Sequence, residues 1–145
     1  MPTAANAISE LAMNSYQPEK PKFYEYRPAA GWLILAGRSD RDNDYLSLKV
    51  ARPQDWWFHV RGMPGSHVLL QALDQNQGEP ERRLLEQAAA VAAWHSKARN
   101  GGVVAVSGCK AGMVGKPRGA KPGTVSVRRE TVFKVRPALP AERVD

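Results

Sequence analysis

Apolar and polar residues alternate in short bursts along most of this chain, and only one stretch keeps a helical period. Phe23 to Arg27 and Trp32 to Ala36 read as strands on either side of Pro28-Ala29-Ala30-Gly31. Gly37 to Asp44 is a polar loop of alternating charge. In Tyr45 to Val50, Leu46, Leu48 and Val50 alternate with Tyr45, Ser47 and Lys49, which predicts a half-buried strand. Arg52-Pro53-Gln54-Asp55 breaks that pattern. Asp55 to Leu70 then predicts a hairpin, because Trp56-Trp57-Phe58-His59-Val60 has high β-propensity and His67 to Ala72 resumes the extended pattern. Met63-Pro64-Gly65-Ser66 fits a type II turn, with proline fixing φ at the first central position and glycine allowing positive φ at the second. If that turn sets the register, His59 and His67 fall on opposite faces of the sheet.

Glu79 to Asn100 carries the helical period, with an apolar stripe of Leu84, Leu85, Ala88, Val91 and Ala92. Pro80 suits the first turn and Asn100-Gly101-Gly102 supplies a stop. Val103 to Val106 is a short buried strand. Ser107 to Gly123 holds five glycines and two prolines among basic residues, so it reads as a long basic loop. Thr124 to Val127 and Thr131 to Val135 alternate as strands around Arg128-Arg129-Glu130. These elements predict a single α+β domain over residues 23–136, a twisted, mainly antiparallel sheet packed against one long helix at about 79–99. Residues 1–22, polar and poor in apolar surface, are expected to be a disordered tail, and 137–145 a loose one.

With 145 residues and one cysteine, Cys109, the chain builds its core without an internal disulfide, which favours a reducing, cytoplasmic setting. No stretch reaches the roughly 18 apolar residues of a membrane span, and the start lacks a secretory signal. Charge is unevenly placed. Residues 1–96 carry a net −1, residues 97–136 a net +9 and the last nine a net −1. A positive excess held in one segment is the pattern of a polyanion-binding surface.

Enzyme readings fail on spacing. His59, His67 and His95 have no carboxylate or cysteine at a recognised metal-ligand spacing. Ser66 lacks the Gly-x-Ser-x-Gly elbow of a nucleophile. Gly115-Lys116 resembles a P-loop ending, but Pro117 stands where the magnesium-binding Ser or Thr belongs. Cys109 beside Lys110 has no catalytic partner, and Asp40, Asp42, Asp44 and Asp55 form no acid/base pair. No cofactor or metal is expected.

A binding role fits better. Lys116, Arg118 and Lys121 sit in Gly/Pro-rich backbone that can approach phosphates closely. Lys97, Arg99 and Lys110 precede it, and Arg128 and Arg129 follow. Lys97 and Arg99 equally suit the negative end of the helix dipole. Trp57 and Phe58 read as core, leaving Trp56 as the better stacking platform beside Arg61, Ser66 and the two histidines His59 and His67.

The motifs Asp55-x-Trp57-Phe58-His59 and Pro64-Gly65-Ser66-His67-Val68 resemble the NFACT-R domain. So do Asn43-Asp44, Ser96-Lys97-Ala98-Arg99 and Lys116-Pro117-x-Gly119-Ala120-Lys121-Pro122-Gly123-x-Val125, in the same order. The resemblance spans roughly Tyr24 to Val135. It implies an RNA-binding domain of the kind found in ribosome quality-control factors and in proteins labelled fibronectin-binding. The expected role is that of a non-catalytic adaptor for transfer or ribosomal RNA, with the ribosome or an RNA-processing protein as further partner. The carry-over covers Asp55, Trp57, His59, Pro64, Gly65, Ser66, His67, Lys97, Arg99, Lys116, Gly119, Lys121 and Gly123. A chain this short has no room for the family's other domains, so a stand-alone version is expected. Two alternatives stay open: a subunit of an RNA-modification system, thiolation included, or a protein-interaction module with a basic docking face.

Overall fold

The computed structural model describes residues 20–141. The expected N-terminal tail therefore lies largely outside the described residues, as do residues 142–145 of the C-terminal one. Of the rest of that tail, Ala138 N donates to Ala90 O at 3.3 Å and Leu139 packs on the core. Six strands form one sheet: β1 (Phe23–Tyr26), β2 (Trp32–Gly37), β3 (Trp56–Val60), β4 (Val68–Ala72), β5 (Val104–Lys110) and β8 (Thr131–Val135). Their order is β1-β2-β4-β3-β5-β8 and every pairing is antiparallel. The short strands β6 (Val114–Gly115) and β7 (Ser126–Val127) pair with each other in a separate ribbon. Among the described residues two α-helices, α1 (Asp40–Tyr45) and α2 (Arg82–Trp94), complete an α+β fold.

The sheet is covered on both faces. On one, Tyr26, Ile34, Phe58, Val60, Leu70, Val106 and Phe133 meet the alanine-rich side of α2. Small side chains let the helix lie close, and Ala88, Ala89, Ala92 and Ala93 are wholly buried. On the other, Leu35, Trp57, Leu69 and Cys109 pack against Leu46 and Ala111 in a smaller core. The alternation of Trp56-Trp57-Phe58 thus sends Trp57 to one face and its two neighbours to the other.

Several expected boundaries move, each for a local reason. Residues 45–50 are not a strand. Ser39 caps α1, accepting from Asp42 N at 3.1 Å, and Asp40 and Asp42 suit the first turn. The chain then continues as a π-helical turn, Leu46–Val50, closed by Ala51 N donating to Leu46 O. This puts consecutive Leu46 and Ser47 inward, which strand alternation cannot do, while Leu48 stays 37% exposed. The turn after β3 is made by Gly62 (φ 74°), not by Gly65, whose φ is not positive. Gly65 instead bridges to Ser96, where a Cβ would lie 3.0 Å from the serine Cβ. That contact also ends α2 early. Ser66 N donates to His95 O, and Ser96 Oγ donates to Ala93 O, so the chain leaves the helix at Trp94 to meet the Pro64-Gly65-Ser66 segment. Pro80 accordingly lies ahead of the helix, whose N-cap is Glu81. Strand β5 runs on to Lys110, which shortens the basic loop to residues 116–125. Finally, β7 and β8 belong to different sheets and do not form a hairpin with each other.

Candidate nucleic-acid interface

Asn43 and Asp44, adjacent on α1, hold together three segments distant in sequence. Asn43 Oδ1 accepts from His67 N at 3.0 Å, and its Nδ2 donates to Gly65 O at 3.3 Å. Asp44 accepts from Gly123 N and forms an ion pair with Lys116 Nζ, both at 3.0 Å. The Lys116 ammonium also donates to Thr124 O at 2.8 Å and to Lys121 O. Lys116 therefore clasps the basic loop onto α1 from within.

Beneath this clasp lies a chain of buried polar groups. Trp57 Nε1 donates to Ser47 Oγ at 2.8 Å, and Ser47 Oγ lies 2.8 Å from His67 Nδ1. Trp57 can only donate, so Ser47 accepts from it and keeps its own hydrogen, with which it can donate to Nδ1. His67 is 1% exposed. Burial and the neighbouring His59 push its pKa down to about 4, against the opposing pull of the Gly123 backbone, Asp44 and the Asn43 backbone. Burial also lowers His59, opposed by the Gly65 backbone. The two rings are 5.1 Å apart on one side of the sheet, not on opposite faces. The seven-residue connection 61–67, rather than a tight turn at 63–66, sets this register.

A shallow groove of about 370 Å³ opens beside the clasp, where the Pro64-Gly65-Ser66 segment meets the end of α2. Lys97, Arg99 and Arg38 line it. Its floor includes Tyr24 and His95, whose rings stack at 4.3 Å, and the Arg38 guanidinium lies 4.6 Å from the Tyr24 ring. Tyr26 Oη holds His95 Nε2 at 2.6 Å. Arg99 donates to Trp94 O at 2.6 Å and lies over the Trp94 ring, so it also finishes the helix end. Polar backbone, cations and a stacked ring pair at one concave surface suit a phosphate chain bearing aromatic bases.

The model of the NFACT protein RNA binding domain family matches residues 22–129 of this chain. The chain belongs to that family. The Rqc2 homolog RqcH of Bacillus subtilis is 38% identical over 118 residues, covering 81% of this chain and 20% of the relative. The Rqc2 homolog RqcH of Streptococcus suis is 36% identical over 105 residues, covering 72% and 18%. The chain thus spans about a fifth of the length of these relatives. A solved structure, the C-terminal of the fibronectin/fibrinogen-binding protein from Streptococcus suis, is similar with a TM-score of 0.76 and 31% identity. That likeness covers 89% of this chain and 51% of the other.

Within this NFACT RNA-binding domain, the residues expected at an RNA site separate into three groups. Ser66, Lys97 and Arg99 come together in the groove, with Arg118 and Lys121 exposed on the loop nearby. Lys116 and the buried His67 lie inside the clasp, where they meet the loop, and the half-buried His59 lies edge-on to His67. Ser66 contributes to the fold as well, donating to Gly37 O at 2.6 Å. The others lie elsewhere. Trp56 is half-buried on the helix-covered face, stacked on Phe58 and edge-on to Phe133, and its Nε1 is buried without a hydrogen-bond partner. Lys110 lies beside it, ion-paired to Glu79 and 5.5 Å from the Trp56 ring. Arg61 pairs with Glu130 at 3.5 Å, and Arg128 and Arg129 are exposed beyond β7. Asp55, 6% exposed, binds Arg52 and accepts from Gln71 at 2.8 Å, so the start of the aromatic motif is a structural lock. Arg38 and Tyr24 were not singled out from the sequence, and His95 was weighed there only as a metal ligand. Arg38 sits in the half of the chain with no net positive charge, and only the pairing of β1 with β2 brings it to the groove.

Proposed function

We propose that this domain binds RNA, transfer or ribosomal, and acts as an adaptor without catalysis in a process related to ribosome quality control. The observation that carries this reading is the convergence of Arg38, Lys97 and Arg99 around the Tyr24–His95 stack. Membership of an RNA-binding domain family supports the polymer, and the RqcH relatives support the process. Phosphates would be held by Lys97, Arg99 and Arg38, with Arg118 and Lys121 reaching from the loop. Lys116 contributes by keeping that loop in place.

Affinity measured against salt tests this. Each lost phosphate contact should lower the slope of log K against log salt by about 0.7–0.9. Lys97→Gln combined with Arg99→Gln should therefore flatten the slope by nearly two such steps, and Lys121→Gln by one. An unchanged slope in the double variant, or capture of an acidic protein that RNA fails to displace, would reject the reading. Crosslinking in cells, followed by sequencing of the bound RNA, identifies the class.

A further inference from the structure

A second cleft, of about 640 Å³, lies where the chain entering β1 passes α1 and the π-turn. Its size is within the roughly 300–1,000 Å³ of ordinary ligand clefts. It has two unusual properties together. Tyr45 and Leu48 face solvent in it, 46% and 37% exposed, although Tyr45 ends the helix that builds the clasp and Leu48 lies in the π-turn after it. Around them stand five basic side chains against two carboxylates, Asp42 and Asp44. Asp44 is already neutralised by Lys116, and Asp42 accepts from the backbone of Lys22. Arg41 and Lys49 have no ion-pair partner among the described residues. An exposed aromatic ring inside a cationic rim complements a ligand that is flat and apolar in one part and anionic in the other, as a nucleotide is. Arg38 and Ser39 line this cleft and the Lys97/Arg99 groove alike, so one polymer can cross from one to the other without leaving positive surface.

We propose that this cleft is a second nucleotide-binding subsite, in which an unpaired RNA base stacks on Tyr45 while Arg41 and Lys49 hold its phosphates. The inference rests on the RNA reading above and makes the bound segment single-stranded at this point, since a base stacked within a duplex cannot present its face to a side chain.

The test uses the whole chain with three probes: labelled oligouridine, inorganic polyphosphate, which has charge but no bases, and phosphatidylserine vesicles. Tyr45→Ala should weaken oligouridine binding about tenfold, within the range of a lost base–aromatic stack, and leave polyphosphate binding unchanged. Tyr45→Trp should restore it. Arg41→Gln with Lys49→Gln should weaken both polyanions. Circular dichroism and thermal melts confirm that each variant is folded. Equal oligouridine binding by Tyr45→Ala and the parent overturns the subsite, and if Lys97→Gln/Arg99→Gln still weakens binding, the groove reading survives alone. Parent protein that binds no RNA overturns both. Tyr45-dependent binding to vesicles in preference to oligouridine assigns the cleft to a membrane surface and overturns the proposal.

Discussion

Acidification should begin to destabilise this domain through His67 before most carboxylates titrate. The imidazole is buried, has its Nδ1 2.8 Å from Ser47 Oγ, and has a pKa of about 4 where a free histidine has about 6.5. The unfolded chain therefore takes up a proton at a pH where the folded one refuses it, and stability falls as pH drops. The loss begins near the unfolded value, reaches about 2 kcal/mol at pH 5 and about 3 kcal/mol at pH 4, then levels off below the folded value. His59, also lowered, acts in the same direction. The mechanism is specific. A second proton makes both ring nitrogens donors, so Ser47 must turn its own hydrogen elsewhere and accept from Trp57 and His67 together, while the new charge stays buried. Urea unfolding at about pH 7.5, 6.5, 5.5 and 5 measures the loss above the main carboxylate range, and the imidazole carbon proton signals followed by NMR report the folded pKa. His67→Gln, which keeps a polar group without a titration, should be less stable at neutral pH but lose its stability more slowly between 6.5 and 5. A parent curve flat across that window, or a variant with the same slope as the parent, would refute the argument.

Other outcomes follow from the packing. Trp57→Phe removes a donor and should cost about 1–3 kcal/mol; Trp56→Phe removes a buried, unpartnered Nε1 and should be near neutral, as chemical unfolding of the pair would show. Gly108→Ala places a Cβ 2.7 Å from Phe133 and 2.9 Å from Phe58, and should lower stability by about 1–3 kcal/mol through overpacking. Asp44→Asn leaves an acceptor for Gly123 but weakens the hold on Lys116. Limited trypsin proteolysis should then cut faster after Arg118, since Lys116 and Lys121 are each followed by proline, with little change in thermal midpoint, because the clasp is partly solvent-exposed.

The sheet was readable because its strands alternate in type and its turns carry glycine and proline. The small-residue stripe of α2 gave the helix and its inward face. Failures cluster around α1. Leu46, Leu48 and Val50 have strand spacing, yet Ser39 and the acidic first turn favoured a helix, and the π-turn then placed Leu46 and Ser47 side by side. Pro64-Gly65-Ser66 has the chemistry of a turn, but its use is close backbone approach to Ser96, which no local pattern encodes. The basic segment drew attention to Lys116, whose ammonium is spent inside the fold. It drew attention away from Arg38 and Arg41, whose local charge is balanced in sequence but not in space. Charge summed along a chain cannot show which ions tertiary structure has already neutralised.

The way the basic loop is fastened bears on how such domains diversify. Its attachment points, Lys116 near the start and Lys121, Gly123 and Thr124 near the end, all meet on or around Asp44 and the Lys116 ammonium, while Pro117 to Ala120 run between them. Residues added to that span would burden neither the sheet register nor either core. Doubling the length of a flexible loop costs only about 0.6 kcal/mol. Natural variation can therefore lengthen or recharge the tip, and so change what it grips, at a rate set by the ligand and almost independent of selection on folding.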